Sequence, residues 1–194
     1  SLKELGLDKS TLVILTADHG EMLGEHNIYF EHRGSYEENI RVPLIIKVPK
    51  LFLKGKTVSA QASLVDIVPT ILDTLGLNKP SYVQGKSLFA FIKPLRRYVF
   101  SSYIHNTHII SLRTEDCKLI YNKQGNHESW ELYNLKTDPK EEHNLTTIRR
   151  NEFKRLKLIF ENWNKPATAL GPIRKGPKLT EEDRNRLKSL GYSQ

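Results

Sequence analysis

The run Thr11-Leu12-Val13-Ile14-Leu15-Thr16 breaks off abruptly into Ala17-Asp18-His19-Gly20, and no other feature limits the fold as much. A short apolar, β-branched run without polar alternation predicts a strand buried in a sheet, and the polar residues then fall at its C-terminal edge. In open α/β sheets that edge is where ligands bind. A second run, Val42 to Val48, carries Pro43 near its start, where a missing N–H is tolerated. Two such strands fit a mainly parallel sheet in an α/β fold.

Further along, Leu64, Ile67, Val68, Ile71, Leu72 and Leu75 recur at helical spacing, and Gly76 follows as a stop signal. Pro69 inside that pattern predicts a new turn or a kink. From Tyr98 the pattern changes to short strands at Tyr98 to Ile104, Ile109 to Arg113, Lys118 to Tyr121 and Trp130 to Tyr133, a small antiparallel sheet. Phe153, Leu156, Ile159, Phe160 and Trp163 then stripe one face of a helix otherwise rich in Lys and Arg. Pro166, Gly171-Pro172 and Gly176-Pro177 predict irregular chain, and Thr180, with Asp183 in capping-box position, opens a final helix ending near Gly191. The change of pattern places a domain boundary near residue 95, giving segments 1–95 and 96–194.

The formal charge of +8 is spread along the chain and not gathered into a block, so it predicts a solvated basic surface able to attract anions. No basic helix or aromatic stacking array points to a nucleic-acid partner. Cys117 is the one cysteine, which excludes an internal disulfide and a multi-cysteine zinc site. No apolar run approaches the roughly 20 residues that span a bilayer, and the N-terminus lacks a signal-peptide pattern, so the compartment stays open. The chain starts at Ser1 and its one methionine is Met22, so a preceding segment is expected.

Chemistry concentrates between Asp18 and Arg41. Adjacent Asp18 and His19 can turn toward one point only where the chain leaves the extended conformation, which Gly20 permits. A carboxylate beside a neutral imidazole suits a divalent cation, although two donors do not hold one and further ligands must come from elsewhere. The alternative is that Asp18 caps a following helix and His19 is a satisfied polar residue.

The longer string Thr16-Ala17-Asp18-His19-Gly20-Glu21-Met22-Leu23-Gly24-Glu25-His26, followed by Tyr36-Glu37-Glu38 and Arg41-Val42-Pro43-Leu44-Ile45, resembles the sulfatase family of the alkaline phosphatase superfamily. Ser63 to Leu72, Gln84 to Leu88, Glu131 to Leu135, Asp138-Pro139, Glu142 to Leu145 and Leu187 to Tyr192 extend the likeness over nearly the whole chain. It implies the C-terminal portion of a sulfatase sandwich with a small antiparallel-sheet subdomain. It also implies hydrolysis of a sulfate ester on a small molecule or carbohydrate.

By that resemblance Asp18 and His19 are metal ligands, for calcium foremost, with zinc, manganese or magnesium as alternatives. The remaining ligands and a formylglycine nucleophile, made from Cys or Ser in a Cys/Ser-x-Pro-x-Arg motif, belong to an N-terminal remainder of the enzyme. Cys117, between Asp116 and Lys118, is in no such motif. Many sulfatases carry a sulfate-contacting lysine four residues before the aromatic that corresponds to Tyr36; here that position is His32, with Arg33 beside it. His32 is the candidate acid for the leaving alkoxide, and both His32 and Arg33 are candidate sulfate donors. Glu21, Glu25 and His26 match structural or rim positions, and Arg41 is expected to anchor its strand by an ion pair. Phosphonate or phosphate monoester hydrolases and phosphoethanolamine-type transferases share the Asp-His-Gly-Glu string. A non-catalytic anion-binding module is the competing class.

Overall fold

The protein is described from a computed structural model, which covers residues 1–49, 55–89, 98–104, 107–165, 180–182 and 185. Residues Ser1–Glu161 form one compact unit and Asn162–Gln194 a second. Glu181 and Glu182, just after Thr180, are helical; the rest of the expected final helix and its Pro-Gly approach lie outside the described residues. So does the boundary expected near residue 95.

Strands β1 (Val13–Thr16) and β4 (Leu44–Lys47) pair with each other, with Val13 opposite Lys47 and Thr16 opposite Leu44. They run antiparallel, against the expectation of a parallel pair. An apolar run reports burial and says nothing of direction. Parallel neighbours need a crossover, usually a helix, whereas the connection here holds only short pieces. These are the hairpin strands β2 (Met22–Leu23) and β3 (Tyr29–Glu31) and the four-residue helix α1 (Glu37–Ile40).

The helical spacing after Ser63 resolves into a 3₁₀ turn, Leu64–Asp66, and helix α2, Ile67–Thr74. Ser63 and Asp66 form a capping box, and Pro69 falls in the first turn of α2, where a missing N–H costs nothing. Gly76 ends the helix at a φ of 65°. Asp66 and Thr70, both buried, accept the backbone N–H groups of Lys86 and Leu88, so the Gln84–Leu88 segment is stapled to α2.

Strands β5 (Val99–Ile104), β6 (His108–Arg113), β7 (Cys117–Gln124) and β8 (His127–Asn134) form the expected antiparallel sheet in sequence order. Alternation sorts its two faces. Ile110, Leu112, Leu119, Tyr121 and Leu132 make a core with Leu156 and Phe160 of helix α3 (Arg150–Trp163), and Trp130 meets Phe160 edge-on at 5.1 Å. Cys117 is buried at the margin of this core, and burial pushes its thiol pKa up.

Arg113 and Lys118 are direct cross-strand partners on the sheet face away from α3, where two like charges repel. Glu37 of α1 lies between them: its Oε1 accepts Arg113 Nε at 3.0 Å and Lys118 Nζ at 3.1 Å. Lys118 is fully buried and also bonds Glu141 at 2.9 Å, while Glu141 accepts the Glu37 backbone N–H at 2.7 Å. Tyr36 and Tyr133 both donate to Glu131. Burial pushes the Glu37 carboxyl up, but hydrogen bonds from Arg113 and the charge of Lys118 outweigh it and hold the pKa below the usual range. Burial dominates at Glu141 and pushes its pKa up to about 7.

A carboxyl whose folded pKa exceeds its unfolded value contributes stability that is full below the unfolded value and is lost as pH rises through the folded one. For Glu141 that window runs from the ordinary 4.5 to about 7. Urea unfolding of the wild type is expected to show falling stability across it, by at most about 1.4 kcal/mol per pH unit from this group. Glu141→Gln, which cannot titrate, is expected to flatten that part of the profile.

Candidate active site

Strand β1 delivers Asp18 and His19 to its C-terminal edge, as expected. The chain enters β2 and not a helix directly after them, so Asp18 caps no helix there; the Asp18 Oδ1 accepts the His19 backbone N–H at 3.0 Å. The His19 Nδ1 lies 2.7 Å from the Gly20 carbonyl oxygen. A carbonyl can only accept, so Nδ1 carries a proton and Nε2 is the ring nitrogen available to a metal. That Nε2 lies 3.6 Å from Asp18 Oδ2, a spacing two donors on one cation can adopt. The donor set fits a divalent cation, and the carbonyl behind Nδ1 is the kind of outer partner that orients a metal-binding imidazole.

Gly20 is required here for a reason the sequence does not show. A Cβ on it would lie 1.9 Å from the Glu38 carbonyl oxygen, and the Gly20 N–H donates to the Asn39 carbonyl at 2.7 Å. The metal-type pair is thereby held against α1. The same helix holds the second group of predicted residues, because the Asn39 Nδ2 donates to the carbonyls of His32 and Gly34.

The His32 ring, on an exposed residue, stacks on His19 with centroids 4.4 Å apart and planes at 25°. Asp18, His19, His32, Tyr103 and Arg113 line one open concavity, so β5 and β6 contribute to its wall. His19, Glu21 and His32 bring one donor atom each within 4.8 Å of one another. Arg33 is exposed and forked onto Glu31, its Nη2 2.8 Å from Oε1. That pairing raises the Arg33 pKa and occupies part of the donor fork expected for sulfate. His26 is stacked on Tyr36 with centroids 3.6 Å apart, its Nε2 3.9 Å from Glu38. Arg41 is exposed and makes no ion pair among the described residues, so the expected anchor is absent; Glu37, four residues earlier, is the ion-paired side chain. Sequence reasoning also missed Asn39, since an asparagine within an amphiphilic stretch carries no signal of its own.

The Asp-His-Gly strand end, α1 and the four-stranded antiparallel sheet superpose on solved structures of the alkaline-phosphatase-like α/β fold. A solved structure of a protein in complex with its substrate D-glucosamine-2-N,6-O-disulfate superposes with a TM-score of 0.74 at 32% identity, covering 83% of this chain and 35% of that one. The phosphonate monoester hydrolase of Agrobacterium radiobacter gives 0.69 at 26% identity, covering 84% of this chain and 36% of that one. Residues 24–162 match the family described as N-sulphoglucosamine sulphohydrolase, C-terminal, and the chain belongs to that sulfatase family.

Among curated relatives, the N-acetylglucosamine-6-O-sulfatase of Bacteroides thetaiotaomicron is 36% identical over 157 residues, 74% of this chain and 28% of that protein. The arylsulfatase of Clostridium perfringens is 34% identical over 163 residues, 79% of this chain and 33% of that protein. Arylsulfatase K of Bos taurus is 35% identical over 162 residues, 76% of this chain and 29% of that protein. The chain thus spans about a third of the length of these relatives.

Gly20→Ala is expected to force the strand end off α1. Overpacking of this kind costs about 1–3 kcal/mol, readable by urea unfolding.

Proposed function

We propose that the protein containing this chain hydrolyses sulfate esters of small molecules or carbohydrates, with a divalent cation, calcium foremost, held in part by Asp18 and His19. The observation that carries this reading is the His19 imidazole, fixed by the Gly20 carbonyl with its free nitrogen toward Asp18 and its ring against His32. Sequence identity to characterised sulfatases supports it. The remaining metal ligands and the formylglycine nucleophile belong to the N-terminal remainder of the enzyme. That remainder also covers apolar side chains such as Leu15 and Ile45, which face each other across β1 and β4 while exposed. We place the boundary between the α/β portion and the antiparallel-sheet portion near residue 95.

When bound, the cation would offset the negative charge of the sulfate and its nucleophile. The formylglycine would supply the oxygen that displaces the alcohol from sulfur, the electron pair of the broken S–O bond leaving with the alcohol oxygen. In this reading His32 protonates the departing alkoxide, which otherwise leaves as a poor, unprotonated group. Arg33, fixed by Glu31, keeps positive charge beside His32 and can donate its remaining N–H groups to a sulfate oxygen.

The structural likeness to a phosphonate monoester hydrolase gives the second reading, and one assay separates the two. The full-length protein, co-expressed with a formylglycine-generating enzyme, is assayed on 4-nitrophenyl sulfate and on a phenylphosphonate monoester. We expect the sulfate ester to have the higher kcat/KM. His32→Ala is expected to lower kcat by about 10²–10⁴-fold, and Asp18→Asn to weaken calcium binding by at least about tenfold. Preference for the phosphonate moves the assignment to that hydrolase class. Hydrolysis of neither ester leaves the non-catalytic anion-binding module.

A further inference from the structure

Helix α1 is only one turn long, yet both halves of the candidate site hang from one of its residues. Asn39 is buried, with 4% of its surface exposed. Its backbone carbonyl accepts the Gly20 N–H at 2.7 Å, which fixes the end of the Asp18-His19 strand. Its side-chain Nδ2 donates to the His32 carbonyl at 2.6 Å and the Gly34 carbonyl at 3.0 Å, which fixes the loop that presents the His32 ring. We infer that Asn39 is a positioning residue, whose side-chain amide sets the place of the His32 ring relative to the Asp18–His19 pair. This rests on the sulfate-ester reading of the site.

Three features of the chemistry support the assignment. Both partners of Nδ2 are carbonyl oxygens, which can only accept, so the amide orientation is fixed by chemistry. The amide NH₂ supplies two donors from one atom on a short stem; a hydroxyl supplies one, and an aspartate supplies none. The side-chain oxygen, meanwhile, is buried with no hydrogen-bond partner among the described residues. An unpaired buried oxygen is costly, so this side chain is poorly matched to its pocket except through its donors.

The residue is also well braced from below. Two positions back, Glu37 joins α1 to the four-stranded sheet through Arg113 and Lys118, and its N–H donates to Glu141 in the loop after β8. The Asn39 N–H itself donates to the Tyr36 carbonyl at 3.0 Å. A rigid support below and two carbonyls above leave the loop of His32 one register against the strand of His19. The stack of the two imidazoles at 4.4 Å reads out that register. Misplacing a catalytic group by about 1 Å costs on the order of 10²-fold in rate.

The test uses the full-length enzyme with Asn39→Ala, Asn39→Asp and Asn39→Ser. The Ala and Asp variants are expected to lose about 10–100-fold in kcat on 4-nitrophenyl sulfate with KM little changed, and Ser, retaining one donor, to recover part of it. Calcium affinity is expected to stay close to wild type, because the Gly20 contact is to the Asn39 backbone. Histidine-selective NMR gives a readout independent of turnover. The ring-current shifts that His19 and His32 impose on each other are expected to vanish in Asn39→Ala and to return partly in Asn39→Ser.

Unchanged kcat together with unchanged histidine signals in Asn39→Ala overturns the assignment. So does a loss of kcat that merely follows an equal loss of calcium affinity and thermal stability, with no recovery by Ser. If the wild type hydrolyses no sulfate ester but the histidine signals respond as described, the positioning role stands and the sulfate-ester reading falls.

Discussion

The Glu37 carboxylate holds together two cations that would otherwise drive their strands apart. Arg113 and Lys118 face each other across β6 and β7, and Lys118 has no access to water at all. An ion taken fully out of water costs several kcal/mol unless paired with good geometry, and removing one member of such a pair costs about 3–5 kcal/mol. The sheet therefore needs a carboxylate in this place, and it takes one from α1, far away in the sequence. Glu141 supplies the second, its carboxylate receiving both Lys118 Nζ and the Glu37 N–H. Everything above α1, including the strand end at Gly20 and the loop at His32, inherits its position from this pairing.

Sequence patterns revealed the parts of this arrangement that repeat. The four strands from Val99 to Asn134 announce themselves by short β-rich runs and polar turns, and α3 by an apolar stripe. Strand direction was not legible, because Val13–Thr16 and Leu44–Lys47 have the same apolar content whichever way they pair. Nor was the buried network. Lys118 looks like any lysine within a strand, and only Ile120, two residues on and therefore on the same face, hints that this face is also covered.

The candidate site was legible to a similar depth. Asp18, His19, His32 and Arg33 stand out by residue type and by resemblance, and the structure brings the first three to one concavity. What could not be read is how they are held. The contact of Gly20 with the Glu38 carbonyl joins positions 18 residues apart in the chain, and no local propensity encodes it. The pairing of Arg33 with Glu31 was equally hidden, although the two residues are near neighbours, because an exposed loop gives no periodicity from which to infer it.

Cys117 carries a practical consequence for anyone probing this stretch of chain. The thiol is buried and its pKa is raised, so little of it is thiolate near neutral pH and alkylating reagents reach it poorly. It is also the one sulfhydryl of the sequence. The segment thus offers a nearly silent background for covalent tagging: a cysteine placed at an exposed position of the β2–β3 hairpin would carry a spectroscopic label essentially alone, beside the site and without a native thiol to remove first.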